Sequence, residues 1–452
     1  MTLQSQNLKT VIHDGRFCEI SEDELLLLVK DEFLDEFRKL QHAYSVKDLS
    51  VPKIDIPSPS YRLYGMEFNE VNRTLVGVLA LRWILQKNYA TFVECQPEAV
   101  RLQPESFKWI CKVFEEGLER DTDLYSIIAS MVINDLGKVR YLAFDYHAKT
   151  GVDISKQNHD MILYRAAEAG LVPSLERLPE EDQKDILLGI KLGAQFNFGQ
   201  LAQAENVPAC LFSLTKMKDH NRAFKLHFMK QILDIAGAAG HLDHTCARKL
   251  IEPVFQAYKN VHCVAMCIIE GTLGLREGYD IILIRRLELL KHNGFKKSLD
   301  VNIPEERALI RLFCMGGAAS LENAQLYYDA FYSICHATRA ALVDGLDIDG
   351  LVGKPAVLPT YIPAMLRLAL SNTVGDSREE RLLALGSMLR YLTRVLTIRE
   401  MDLDRVPEKV VVVERDVRSM IEDVVGGEDF RWNPGVLDTV SIPDNVIAIL
   451  AD

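Results

Sequence analysis

Ile133-Asn134-Asp135-Leu136-Gly137-Lys138-Val139 closes an apolar run that begins at Leu124. The run from Leu124 to Val139 has the apolar density and helical spacing of a buried helix, and the glycine marks its end. Asp135 therefore sets a carboxylate at the end of a buried helix. Such a group rarely stays unpaired, because its desolvation must be offset by a cation, a metal or several donors. Seven of the eleven histidines (His147, His159, His220, His227, His241, His244 and His262) follow between Asp135 and His262. A helical core that binds metal is the first expectation.

Outward from this stretch, helical periodicity predominates. Towards the N-terminus it covers Leu75 to Gln86 and Glu105 to Leu118. Towards the C-terminus it covers Asn158 to Ala169, Glu181 to Gln203, Asn221 to Ala236, His241 to Asn260 and Asp280 to His292. Further helices are expected over Pro304 to Cys314, Leu321 to Leu342, Pro363 to Leu370 and Arg378 to Leu396. Residues 1–60 read as an N-terminal extension. In it Ser21 caps a helix that Glu24 completes as a capping box, continuing through Phe33, Phe37 and Leu40. The Pro-rich stretch from Val51 to Gly65 then reads as a linker. Strand patterning is confined to Lys409–Val413, with Val436–Ile442 as its companion. The fold class expected is mainly α, a helical core over 61–270 and a helical region over 271–452, with a small β element near the C-terminus.

Composition narrows the function classes. The 452 residues are 48% hydrophobic and 26% charged, ordinary for a globular protein with more than one packed unit. A net charge of −12 argues against general affinity for nucleic acid or an anionic membrane, both of which need a basic face. No secretory leader and no membrane span is expected. The longest apolar stretch, Val261 to Leu275, is interrupted by His262, Glu270 and Gly271. Nine scattered cysteines read as reduced thiols and point to the cytoplasm. Cys263 and Cys267 read as a buried helical face.

Asn134-Asp135-Leu136-Gly137-Lys138 resembles the His-Asp-x-Gly-Lys signature of the HD-domain metalloprotein superfamily, with asparagine in the histidine position. The resemblance covers residues 120–270 at most. It implies a helical bundle holding a divalent metal (Fe, Mn or Zn) through a first histidine, the His-Asp doublet, usually two more histidines and a final aspartate. Imidazole and carboxylate suit such ions, and a carboxylate can bridge two of them. Two registers fit. In the first, Asn134-Asp135 stands for the doublet, Lys138 keeps its place, and His159 follows Asp135 by 24 residues with Asp160 beside it. No histidine lies between His42 and His147, so this register lacks a first ligand. In the second, His159-Asp160 is the doublet and Asp135 the upstream ligand. His220 follows 60 residues after Asp160, His244 another 24, and Asp280 a further 36.

A second dense spot is Gly237-Ala238-Ala239-Gly240-His241-Leu242-Asp243-His244. Its small residues allow close backbone approach, and two histidines at i and i+3 would share one side of a helix start. The plainer expectation there is a cap in which Asp243 satisfies amides. The candidate metal ligands are thus Asp135, His159, Asp160, His220, His241 and His244. Lys138 is the candidate catalytic residue, placed to hold an anionic group.

The remaining signals are structural. His147 is expected in solvent, and His262 and His336 on apolar helix faces. Asp344, Asp347 and Asp349 read as a helix end and turns, since their oxygens are misplaced for an EF-hand. No nucleophile elbow, Walker loop, kinase set or dinucleotide fingerprint is present. The resemblance implies a metal-dependent hydrolase of a phosphorylated or other anionic small molecule, or a di-iron oxygenase. The alternative is a metal-free helical pseudoenzyme or scaffold that binds a ligand or partner, and Asn134 with the missing upstream histidine supports it.

Overall fold

The computed structural model describes residues 7–45, 52–375, 377–398, 409–443 and 446–450. The chain is mainly helical with one small sheet near its C-terminus, the class expected from the sequence. It divides into two compact units. The first comprises Met1–Ala194 and Asp219–Lys259, the second Gln195–Lys218 and Asn260–Asp452. Among the described residues, no helix is long and apolar enough to cross a membrane.

The first unit is built around two helices, Asn69–Leu85 and Asn221–Gly237, packed along one another and flanked by Pro104–Gly117 and Asp123–Ile133. Glycines set the spacing. A Cβ on Gly77 would stand 3.2 Å from the Leu233 carbonyl oxygen, and one on Gly237 only 2.2 Å from that of Arg73. One on Gly240 would lie 2.7 Å from the Asn72 oxygen. The small-residue run at 237–240 thus permits the backbone approach its composition suggests. Towards the N-terminus, Ser21 Oγ accepts the Glu24 N–H at 3.2 Å and starts helix Glu22–Glu32. That helix stops at Phe33, whose φ of −115° and ψ of 38° leave the helical region, and Leu34–Leu40 forms a separate helix. Past the irregular residues 52–57, Ser58 caps Pro59–Tyr64.

The second unit gathers Leu321–Ser333, His336–Asp347 and Ile362–Ser371 around helix Arg378–Leu396, with Leu275–His292 packed on Pro304–Met315. Three arginines of this unit, Arg307, Arg311 and Arg415, are wholly buried. Arg311 donates to the carbonyls of Ala204 (3.1 Å), Leu346 (2.7 Å), Glu205 (3.3 Å) and Asn206 (3.2 Å). Arg307 meets Asp280 at 2.7 Å and Asp347 at 3.2 Å, while Arg276 takes Asp347 and Asp349 at 2.8 and 2.6 Å. Asp347 indeed ends a helix, and it and Asp349 serve as counter-charges. The sheet has β1 (Ala356–Leu358) parallel to β2 (Val410–Arg415), which is antiparallel to β3 (Val446–Leu450).

Several boundaries differ from the sequence expectation. The Leu124 helix ends at Ile133, before the Asp135 turn, and the Glu181 helix ends at Gln195. The Leu321 helix breaks between Ser333 and His336. Val436–Ile442 is no strand, because Asn433-Pro434-Gly435 opens a 3-10 helix over Pro434–Asp438; β3 partners β2 instead. The helix expected from His241 begins only at Glu252, where Pro253 takes its second position. His241 and His244 therefore lie in an irregular loop and share no helix face. His336 is exposed at a helix start, off the apolar face expected for it.

A buried charge cluster around Asp135 as the candidate functional site

Helix Asp123–Ile133 runs into Asn134, and a single 3-10 turn over Leu136–Lys138 follows. That turn places Lys138 back over Asp135, with the Lys138 N–H donating to the Asp135 carbonyl at 3.0 Å. The side chains then pair, Lys138 Nζ lying 2.9 Å from Asp135 Oδ1. The same ammonium lies 2.9 Å from Glu70 Oε2, and Arg73 donates to Glu70 Oε1 at 2.9 Å. Exposure of these side chains is 6% for Asp135, 12% for Lys138, 0% for Glu70 and 20% for Arg73. Glu70 and Arg73 come from the central helix Asn69–Leu85, so the cluster joins it to the turn after Asp135.

Asn134, in the doublet position, is engaged on both sides of its amide. Its Oδ1 accepts from the buried Lys230 ammonium at 2.6 Å, and its Nδ2 donates to Asp135 Oδ1 at 3.4 Å. Asp234, one helical turn after Lys230, completes the group through its charge interaction with Asp135, Arg73, Lys138 and Lys230. Three carboxylates thus share the interior with three cations: Glu70, Asp135 and Asp234 against Arg73, Lys138 and Lys230.

The electrostatics follow from that inventory. Burial alone would raise the Asp135 carboxyl, but the Lys138 and Arg73 charges hold it well below the usual carboxylate range. Glu70 and Asp234 are pushed up, first by burial and then by the Asp135 charge. Lys138 is raised despite burial because Asp135 favours its charged form.

Gly137 has a packing role. A Cβ there would sit 1.8 Å from the His159 carbonyl oxygen, so only glycine admits the start of helix His159–Glu168 against this turn. Asn158 caps that helix by accepting the Met161 N–H at 2.8 Å. The His159 imidazole is among the charges that lower Asp135, and its Nε2 lies 3.7 Å from Asp160 Oδ1. The structure therefore brings Asp135, Lys138, His159 and Asp160 into one neighbourhood. His220 is not part of it. It is exposed just before helix Asn221–Gly237, and Asp234 lies roughly 20 Å further along that helix at 1.5 Å per residue. His244 is buried in the loop at 241–250; burial and the Arg62 charge depress it, against Asp243, Glu67 and Glu22.

A small cavity lies beside Asn134, lined by Ser130, Asp185, Gly189, His227 and Lys230. His227 is buried there, and burial reinforced by the Lys230 charge holds its imidazole well below the usual range. Arg222 gathers Asp123, Asp182 and Asp185 nearby, meeting Asp182 at 2.6 Å. Sequence reading missed Glu70, Arg73, Lys230 and Asp234. Glu70 and Lys230 stand among the otherwise buried residues of helices Asn69–Leu85 and Asn221–Gly237, but a charge so placed does not say by itself what crosses it.

The donor set around Asp135 does not fit a metal centre. The doublet position offers an amide oxygen already taken by Lys230, and the carboxylate is already neutralised by Lys138 and Arg73. With its carboxylates ionised the cluster is balanced. A divalent ion would leave it net positive in a dry interior, an arrangement that desolvation opposes. No curated protein and no solved structure matches the chain. A model described as a family of unknown function, DUF6829, matches residues 26–437, most of the chain, and the chain belongs to that family.

Proposed function

We propose that this is a helical protein that binds a ligand or partner, in which the HD-like string has become a structural joint in place of a metal-dependent active centre. One observation carries the reading: the Lys138 ammonium stands 2.9 Å from both Asp135 and Glu70. A lysine held between two buried carboxylates is not available to receive a substrate phosphate, and its removal would leave both to share Arg73. Asp135, likewise, has its charge met by cations of the chain. Gly137 serves packing, leaving the His159 backbone its place against the turn. The nine cysteines, free thiols throughout, accord with a reducing compartment, and the proposal puts the protein in the cytoplasm.

The metalloenzyme reading, hydrolase or oxygenase acting on an anionic small molecule, draws on one observation, the nearness of His159 and Asp160 to Asp135. Metal analysis separates the two. Asp135→Asn is expected to leave the metal content of the purified full chain unchanged while lowering its melting temperature. Metal lost from Asp135→Asn and from His159→Ala together would overturn the joint and restore the metal centre.

A further inference from the structure

Elsewhere in the first unit, Cys95, Asp243 and Cys246 present one ligand atom each, all within 4.8 Å of one another. Asp243 and Cys246 are buried and Cys95 is exposed, so the group is both sheltered and reachable. Its backbone is fixed from two sides. The Ala247 N–H donates to the Phe92 carbonyl at 3.0 Å, and Gln96 Nε2 donates to the carbonyls of Ala247 (2.7 Å) and Leu250 (3.1 Å). Gln96 is itself buried and accepts the Leu102 N–H on Oε1 at 2.9 Å. These bonds clamp the turn that carries Cys95 onto the loop that carries Asp243 and Cys246.

The carboxylate is oriented as well. Asp243 Oδ1 accepts the Thr245 N–H at 3.1 Å and the Thr245 hydroxyl at 2.7 Å, and Oδ2 carries neither bond. The Thr245 hydroxyl is also 3.5 Å from Cys95 Sγ. Neighbours that hold a ligating carboxylate in one orientation are the usual support of a metal ligand.

We propose that Cys95, Asp243 and Cys246 form a zinc site that ties the Cys95 turn to the 241–250 loop. Thiolate sulfur selects zinc over the hard cations, and a carboxylate oxygen completes a borderline-soft donor set. Zinc–sulfur bonds of about 2.3 Å and zinc–oxygen bonds of about 2.1 Å place ligand atoms roughly 3.5–3.8 Å apart, so a small side-chain adjustment closes the present arrangement. Zinc enters by replacing the two thiol protons, which pass to solvent, with no change of oxidation state. Three protein ligands leave a fourth position that the exposed Cys95 edge opens to water. The site does not involve Asp135 and stands apart from the charge joint.

The test uses the full chain, purified under reducing conditions, stripped with a chelator and reloaded with zinc alone or cobalt(II) alone. Wild type is expected to take up stoichiometric zinc, and its cobalt form to show thiolate-to-cobalt charge-transfer absorption. Cys95→Ser, at an exposed position that leaves the core intact, is expected to weaken zinc binding at least tenfold and to diminish that absorption. Cys246→Ser and Asp243→Asn are expected to lose most of the zinc, whereas Asp135→Asn keeps it. Failure of wild type to bind zinc, a cobalt spectrum without thiolate absorption, or a Cys95–Cys246 disulfide in the reduced preparation would overturn the site and leave the charge joint standing. Zinc lost from Asp135→Asn but kept by Cys95→Ser would overturn both.

Discussion

Asp135 and Asp243 are both buried aspartates of the same unit, and their surroundings could hardly differ more. Asp135 faces Lys138, with Arg73 close enough to lower its carboxyl. Asp243 faces two thiols and a threonine that orients it. A buried carboxylate must be compensated, and the kind of neighbour decides how. Cations of the chain turn it into a joint between helices; beside two thiols it becomes one of the three ligands of the proposed zinc site. Glu205, in the second unit, takes a third course. Burial, against the Tyr361 N–H that it accepts, pushes its carboxyl up to about 8, so it keeps its proton at neutral pH.

The largest effect we expect is at Lys138. Lys138→Met keeps most of the stem and deletes the charge, leaving Asp135 and Glu70 buried with Arg73 as their shared cation; the loss is about 3–5 kcal/mol. Chemical denaturation checks it, and an unchanged midpoint would mean the ammonium contributes nothing. Gly137→Ala should follow. Its Cβ meets backbone that cannot rotate away, so the cost lies at the upper end of the ~1–3 kcal/mol typical of overpacking, read as a fall in melting temperature.

Glu205 sharpens the comparison through pH. Its folded pKa lies above the ~4.3 of an unfolded glutamate, so between these values the native state holds a proton that the unfolded chain releases. Stability from this group is therefore present at low pH and falls as pH rises through the window up to about 8. Glu205→Gln keeps an acceptor for Tyr361 and removes the titration. The variant should be the more stable protein above pH ~8, by roughly a few kcal/mol, and the gap should shrink towards pH ~4. Equal pH profiles for the two proteins would show that Glu205 is ionised in the folded state.

Much of the helical architecture was legible because long 3.6-residue patterns and caps such as Ser21 and Asn158 are local signals. Boundaries were read too far wherever a polar turn followed an apolar run. Asp135-Leu136-Gly137-Lys138 continues the helical spacing in sequence, yet the pull of Lys138 on Asp135 and the approach of His159 tighten it into a 3-10 turn. The return of residues 219–259 to the first unit leaves no mark in linear composition.

At the candidate site, Asp135 and Lys138 were readable as a pair of roles, and the structure unites them as an ion pair. Glu70 and Arg73 were not, since a charge on a buried helix face gains meaning only from what crosses it. The thiol site was half visible. The ligand-rich string His241-Leu242-Asp243-His244 runs on to Cys246, but its partner Cys95 is far off in sequence, and no short spacing rule joins them.

The most direct measurement is a double-mutant cycle on Asp135→Asn and Lys138→Met, with unfolding free energies from denaturant titration. If the two side chains form a structural joint, each single variant is destabilised and the double variant loses less than their sum, with a coupling of ~1–3 kcal/mol. Losses that add to within ~0.5 kcal/mol would show that Asp135 and Lys138 act independently, and would contradict a joint built on their pairing.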